Sequence, residues 1–277
     1  MNGNPYGGER MDRTRTVVLA VLAVVVVLFL AVFSLTVYMG ITYRASLAST
    51  YDYRVSIASD TDIGNVTLYL PVPGRRSGNS VVLERMGSGG GLSLPAGWTA
   101  TLLGTEKVDF LELATREIPA SPPGNPYLIS LRVQVKGPIV TESDGFDGLV
   151  IAPLAPRSPV ACPGIPEGIS TEKIRCEAYR GTAYADFTGP TAANLRFTFN
   201  LTGRNAWDVF GPSGNEYRDG LQVSVSGAER GWKTGDGLLV TGLGDYGVDF
   251  WVDWTGRTVA SSGRQVRVTP SAGGRPA

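Results

Sequence analysis

The sequence predicts an all-β protein, an antiparallel β-sandwich of Ig-like or jelly-roll-like type, preceded by one N-terminal transmembrane helix. Three observations predict it. An apolar run extends from Val17 to Ile41; beyond it the hydrophobic period changes from helical to two; and the short strand-like segments follow one another with Gly, Pro, Asn and Asp between them rather than amphipathic helices.

The apolar run fixes the first element. No charged side chain lies between Arg15 and Arg44, and about 20 apolar residues rising 1.5 Å each cross a hydrocarbon core about 30 Å thick. The run is longer than the apolar core of a cleaved secretory signal, although Ser46-Leu47-Ala48 is a passable cleavage pattern. Arg10, Arg13 and Arg15 precede the helix, against Arg44 and Arg54 after it, so the positive-inside rule places the N-terminus in the cytoplasm. The expected organisation is a cytoplasmic tail over 1–15, the membrane helix over 16–43, a stalk over 44–50, an extracytoplasmic β-sandwich over 51–258 and a flexible tail over 259–277.

The strands follow from alternation. Val66, Leu68, Leu70 and Val72 alternate with Thr67 and Tyr69, and Ile129, Leu131, Val133 and Val135 with Ser130, Arg132 and Gln134. The same reading gives strands at Tyr51–Ile57, Val108–Leu113, Ala178–Phe187, Leu195–Leu201, Leu221–Val225, Leu238–Thr241 and Tyr246–Trp254. Gly87–Gly91 reads as a loop, Pro119–Pro126 as a rigid connector, and Pro153–Pro166 as a proline-spaced stretch leading toward the cysteines. One continuous domain is the expectation.

Cys162 and Cys176 are the two cysteines, and an even count in an exported domain reads as a structural disulfide. Sequons at Asn65-Val66-Thr67 and Asn200-Leu201-Thr202 point the same way, making Asn65 and Asn200 candidate glycosylation sites. Asn200 falls on the outward side of its strand with Arg196 and Thr198, opposite Leu195, Phe197, Phe199 and Leu201.

The chain contains no histidine. This removes Ser-His-Asp and Cys-His catalysis and histidine-bearing metal sites, leaving carboxylate chemistry, a Ser-Lys dyad or no chemistry. Formal charge is balanced, so the basic footprint of nucleic-acid binding is missing. No motif calls for a cofactor. Gly242-Leu243-Gly244-Asp245-Tyr246-Gly247 spells a dinucleotide fingerprint but is expected to open a strand instead of a helix, which reads as a hairpin turn. Gly231-Trp232-Lys233-Thr234 misses the P-loop pattern because Trp232 separates the glycine from the lysine.

Two stretches are candidate ligand sites. On the strand Tyr246–Trp254, Asp249, Trp251 and Asp253 share the outward face, an arrangement suited to stacking on a sugar ring and accepting its hydroxyl hydrogen bonds; a covering layer over Trp251 would give the same pattern. As a glycosidase pair Asp249 and Asp253 are about 13 Å apart along a strand, beyond the separation such enzymes use. Glu142, Asp144 and Asp147 concentrate acids among glycines and are candidate calcium ligands, although Asp and Gly also dominate ordinary turns.

Asn65-Val66-Thr67-Leu68-Tyr69-Leu70-Pro71-Val72-Pro73, following Tyr53-Arg54-Val55-Ser56-Ile57, resembles uncharacterised signal-anchored extracytoplasmic β-domain proteins of archaea over the first third of the chain. The resemblance implies an archaeal cell envelope and brings no activity. The expected function is a single-pass envelope protein whose partners are the membrane, through residues 16–43, and an envelope protein or glycan. Two alternatives accompany it: a carbohydrate-binding or carbohydrate-active domain using surface Trp and Asp residues, and a pilin-like filament subunit. The processing site that a pilin needs before its apolar run is occupied by Arg13 and Arg15.

Overall fold

The computed structural model describes residues 7–75, 80–87, 91–104, 109–122, 124–142, 146, 148–163 and 173–244. Helix α1 (Gly7–Ser46) opens the chain, and its stretch Arg15–Ser46 is long and apolar enough to cross a membrane. Apolar side chains stand exposed all round it, from Val17 through Phe29 and Phe33 to Ile41, so the helix carries no buried stripe. Two of its polar side chains bond back to the helix: Thr36 Oγ1 donates to the Val32 carbonyl at 2.9 Å and Ser46 Oγ to that of Thr42 at 2.7 Å. The helix runs to Ser46 and the first strand begins at Ala48, so residues 44–50 divide between helix and strand.

The β-domain contains β1 (Ala48–Ser59), β2 (Ile63–Pro71), a short helix α2 (Val81–Gly87), β3 (Leu92–Ser93), β4 (Thr99–Gly104), β5 (Asp109–Ile118), β6 (Tyr127–Val135), β7 (Arg157–Val160), β8 (Arg175–Thr188), β9 (Asn194–Asp208), β10 (Pro212–Ser226) and β11 (Gly231–Gly244). The strands form one antiparallel sheet in the order β3-β6-β1-β9-β10-β11-β8-β2-β5-β4, with β7 added at β8. The sheet curls over its own core. Four strands separate the consecutive strands β1 and β2 in this order, yet the Tyr53 hydroxyl on β1 donates to the Pro71 carbonyl on β2 at 2.7 Å.

Alternation explains the layers. Leu195, Phe197, Phe199 and Leu201 on β9 are fully buried, as are Val66, Leu68 and Leu70 on β2 and Ile129 and Leu131 on β6, while Arg196 and Asn200 face outward. All the long strands contribute to one hydrophobic cluster. The four last described strands are longer than their apolar runs, 14 or 15 residues each, because polar side chains and glycines extend their inward faces. On β9 the inward series continues through Gly203 and Asn205. The Tyr217 ring of β10 lies over Gly203, where a Cβ would collide with it, and the Tyr179 ring of β8 lies over Gly237 in the same way.

Several expectations change. Strands β3, β4 and β7 and helix α2 were not legible: β4 is exposed along almost its whole length, and β7 carries Pro159, which suits a strand paired on one side only. Gly242 and Gly244, both at positive φ, lie at the end of β11. The expected strand Tyr246–Trp254 lies outside the described residues.

Candidate functional site

Cross-strand register assembles a row of side chains on the outer face of the β-domain. Trp232 on β11 stands opposite Tyr184 on β8, Tyr184 opposite Tyr69 on β2, Tyr69 opposite Glu112 on β5, and Glu112 opposite Thr101 on β4. Each belongs to the outward half of its strand: Tyr69 sits between buried Leu68 and Leu70, and Tyr184 between buried Ala183 and Ala185. Ring centroids are 5.0 Å apart for Tyr69 and Tyr184, 5.4 Å for Tyr184 and Trp232, and 6.2 Å for Tyr69 and Trp232, the last pair within 24° of parallel. Phe110 on β5 meets the Trp232 ring edge-on at 5.1 Å. Trp232 remains 53% exposed.

The flanking rows are hydroxylated and acidic. Asp186, Thr67, Ala114 and Thr99 align on one side; Thr234 and Thr182 pair on the other, with Pro71, Phe110 and Leu103. These three rows hold two carboxylates, Glu112 and Asp186, and no lysine or arginine. Partial burial, followed by the adjacent Glu112 carboxylate, pushes the Tyr69 phenol up, so it remains a hydrogen-bond donor at neutral pH. The face therefore offers apolar ring surface beside acceptors and hydroxyls.

A second cluster lies inside. Asp219 occupies an inward position on β10 between Tyr217 and Leu221, 2% exposed. Its carboxylate accepts from the Tyr179 hydroxyl at 2.6 Å and from the Ile151 amide at 2.7 Å. Tyr217 donates to the Leu149 carbonyl at 2.6 Å, and Gly74 and Val150 exchange a pair of backbone hydrogen bonds. Burial pushes the Asp219 carboxyl up to about 6, against the lowering effect of its two donors and of Arg157. The cluster ties the 149–151 segment to the sheet. Asn205 does similar work nearby: its side-chain oxygen accepts from Ser49 Oγ and the Ile139 amide, and its nitrogen donates to the Ile139 carbonyl and to Asn215 Oδ1.

Neither of two surface depressions among the described residues brings two carboxylates together. One of about 380 Å³ is lined by Ser56, Asp60, Asn194 and Arg196 among others, with Asp60 accepting from the Asn194 amide at 2.8 Å. Another of about 260 Å³ lies beside Asn200, Gly220 and Asp236. Each contains one carboxylate.

Cys162 and Cys176 are joined in a disulfide. Asn200 is exposed on the outer face, and Asn65 is exposed with φ +45°, in the left-handed region that asparagine tolerates. Glu142 accepts from Lys173 Nζ at 3.2 Å, while Asp144 and Asp147, its expected calcium partners, lie outside the described residues. Among the described residues no group of three His, Cys, Asp or Glu converges on a metal position. Asp249, Trp251 and Asp253 also lie outside the described residues. The aromatic row was missed in the sequence because its members, at 69, 184 and 232, meet only through strand register. Their local signal was an aromatic residue at an outward strand position.

Comparison with family models, curated proteins and solved structures finds no match.

Proposed function

We propose that the chain is a single-pass membrane-anchored protein of the cell envelope, with a cytoplasmic N-terminus and an extracytoplasmic β-sandwich displayed for binding or structural association. The observation that carries this reading is the Cys162–Cys176 disulfide on the C-terminal side of the membrane-competent helix, because disulfides persist in oxidising compartments and are rare in the cytosol. The arginines before the helix support the same orientation, and the likeness of the Tyr53–Pro73 region to archaeal signal-anchored proteins supports an archaeal envelope. The outer face, with Trp232 exposed and Tyr69, Tyr184 and Phe110 half-buried beside it, supplies a surface for recognition.

Thiol trapping tests the placement. Cells producing the full chain are quenched in acid and the protein is treated with a maleimide-polyethylene glycol, with and without prior reduction. Two additions that require reduction are expected, and the protein should stay in the membrane pellet after alkaline carbonate extraction. Free thiols in unreduced samples, or release into the supernatant, would overturn the reading.

A further inference from the structure

We infer that the outer face of β11, β8, β2 and β5 binds a neutral carbohydrate chain, with pyranose rings stacking on Trp232 and Tyr69 and their hydroxyls hydrogen-bonding to Glu112 and Asp186. The inference rests on the reading that the β-domain is displayed outside the membrane.

The rings are the first argument. One exposed aromatic on a protein surface is ordinary, but here Trp232, Tyr184, Tyr69 and Phe110 converge from four strands on the outer side of a sheet whose apolar core lies on the other side. Trp232 keeps 53% exposure within this group. The π-faces of such rings carry partial negative charge, which attracts the weakly positive C–H faces of a pyranose.

The surrounding chemistry selects the occupant. Polyanions are disfavoured because the three rows present Glu112 and Asp186 with no cation among them, and Arg180 in the next row is paired with Asp236 at 3.7 Å. An aromatic cage for a quaternary ammonium spreads its rings around the cation, whereas these rings pack on one another with centroids 5.0 to 6.2 Å apart. A second protein copy needs more room. Three strand spacings by two two-residue steps cover about 14 by 14 Å, roughly 200 Å², against about 800 Å² per partner in a stable protein interface. A sugar chain needs only ring faces with acceptors and hydroxyls beside them, and Thr67, Thr182 and Thr234 add hydroxyls to the two carboxylates.

The test uses the full chain in a detergent without a sugar headgroup. It is applied to an array of neutral gluco-, manno- and galacto-oligosaccharides, with oligouronates as charged counterparts. Wild type is expected to bind at least one neutral series, with uronates at least tenfold weaker. Trp232→Ala and Tyr69→Ala are each expected to lose at least tenfold in affinity, Trp232→Tyr to retain part of it, and Glu112→Gln to lose several-fold. Thr182→Arg, at an exposed position in the neighbouring row, obstructs the same face with every ring retained and should also abolish binding. Circular dichroism and the intact disulfide establish that each variant is folded. No binding by folded wild type, binding unchanged in Trp232→Ala and Thr182→Arg, or uronates bound more tightly than neutral chains would each overturn the inference. Thiol trapping reads the placement of the domain independently, so loss of the glycan site and loss of the extracytoplasmic reading give different results.

Discussion

The hydroxyl of Tyr53 on β1 donates to the Pro71 carbonyl on β2 at 2.7 Å, although β1 and β2 are consecutive in the chain and never pair. The bond crosses the core, and both ends are buried. It shows how the curled sheet closes: the phenol supplies a donor to the last carbonyl of β2.

Tyr53→Phe removes that donor and leaves the Pro71 carbonyl buried without it. An unmet buried acceptor costs about 1–3 kcal/mol. Urea unfolding of the full chain in detergent should show a lower midpoint with an unchanged slope; a midpoint equal to wild type would contradict the assignment.

Asp219 makes stability fall with pH. Its folded-state pKa is raised to about 6 from 3.8, so between these values the folded chain holds a proton that the unfolded chain has released. The contribution is complete below about pH 4 and is lost as pH rises through 6, about 3 kcal/mol across the window. Asp219→Asn cannot titrate, so its unfolding free energy should lack this decline when measured from pH 4 to 7. Equal pH dependence in both proteins would refute the account.

Gly203 is required by the Tyr217 ring. Gly203→Ala places a methyl group against that ring, forcing it away from the Leu149 carbonyl to which it is bonded at 2.6 Å. Overpacking of this kind costs about 1–3 kcal/mol. Adding Tyr217→Leu should recover part of the loss, giving a non-additive double-mutant cycle in thermal unfolding; strict additivity would show that ring and glycine are independent.

The disulfide closes residues 162 to 176, a separation of 14. Replacing both cysteines with serine should lower the unfolding free energy by about 3 kcal/mol through the larger entropy of the open chain. Reduction of wild type should reproduce the loss, and a reduced protein as stable as the oxidised one would speak against it.

Local periodicity carried much of the fold. Leu195, Phe197, Phe199 and Leu201 are legible because burial on one side of a strand leaves a period of two in the sequence itself, and the structure buries all four. Asp219 was visible in principle, as a charged residue at the parity of Tyr217, Leu221 and Val223, yet its partners Tyr179 and Ile151 come from distant segments. The same nonlocality hid the aromatic row. Tyr69 could be assigned to an outward face from its neighbours alone, but nothing around it in the chain says that β8 and β11 bring Tyr184 and Trp232 beside it. Strand β4 escaped because an exposed strand has no buried side to impose a pattern.

Lysine placement offers the most direct test of the central claim. The four lysines, Lys107, Lys136, Lys173 and Lys233, all follow the helix. Intact cells producing the full chain would be treated with a membrane-impermeant amine-reactive reagent, and labelled peptides identified by mass spectrometry. The account expects lysine peptides of the β-domain labelled on intact cells, while a cytoplasmic marker protein is labelled only after lysis. Lysines protected until lysis along with that marker would place the β-domain inside the cell and contradict it.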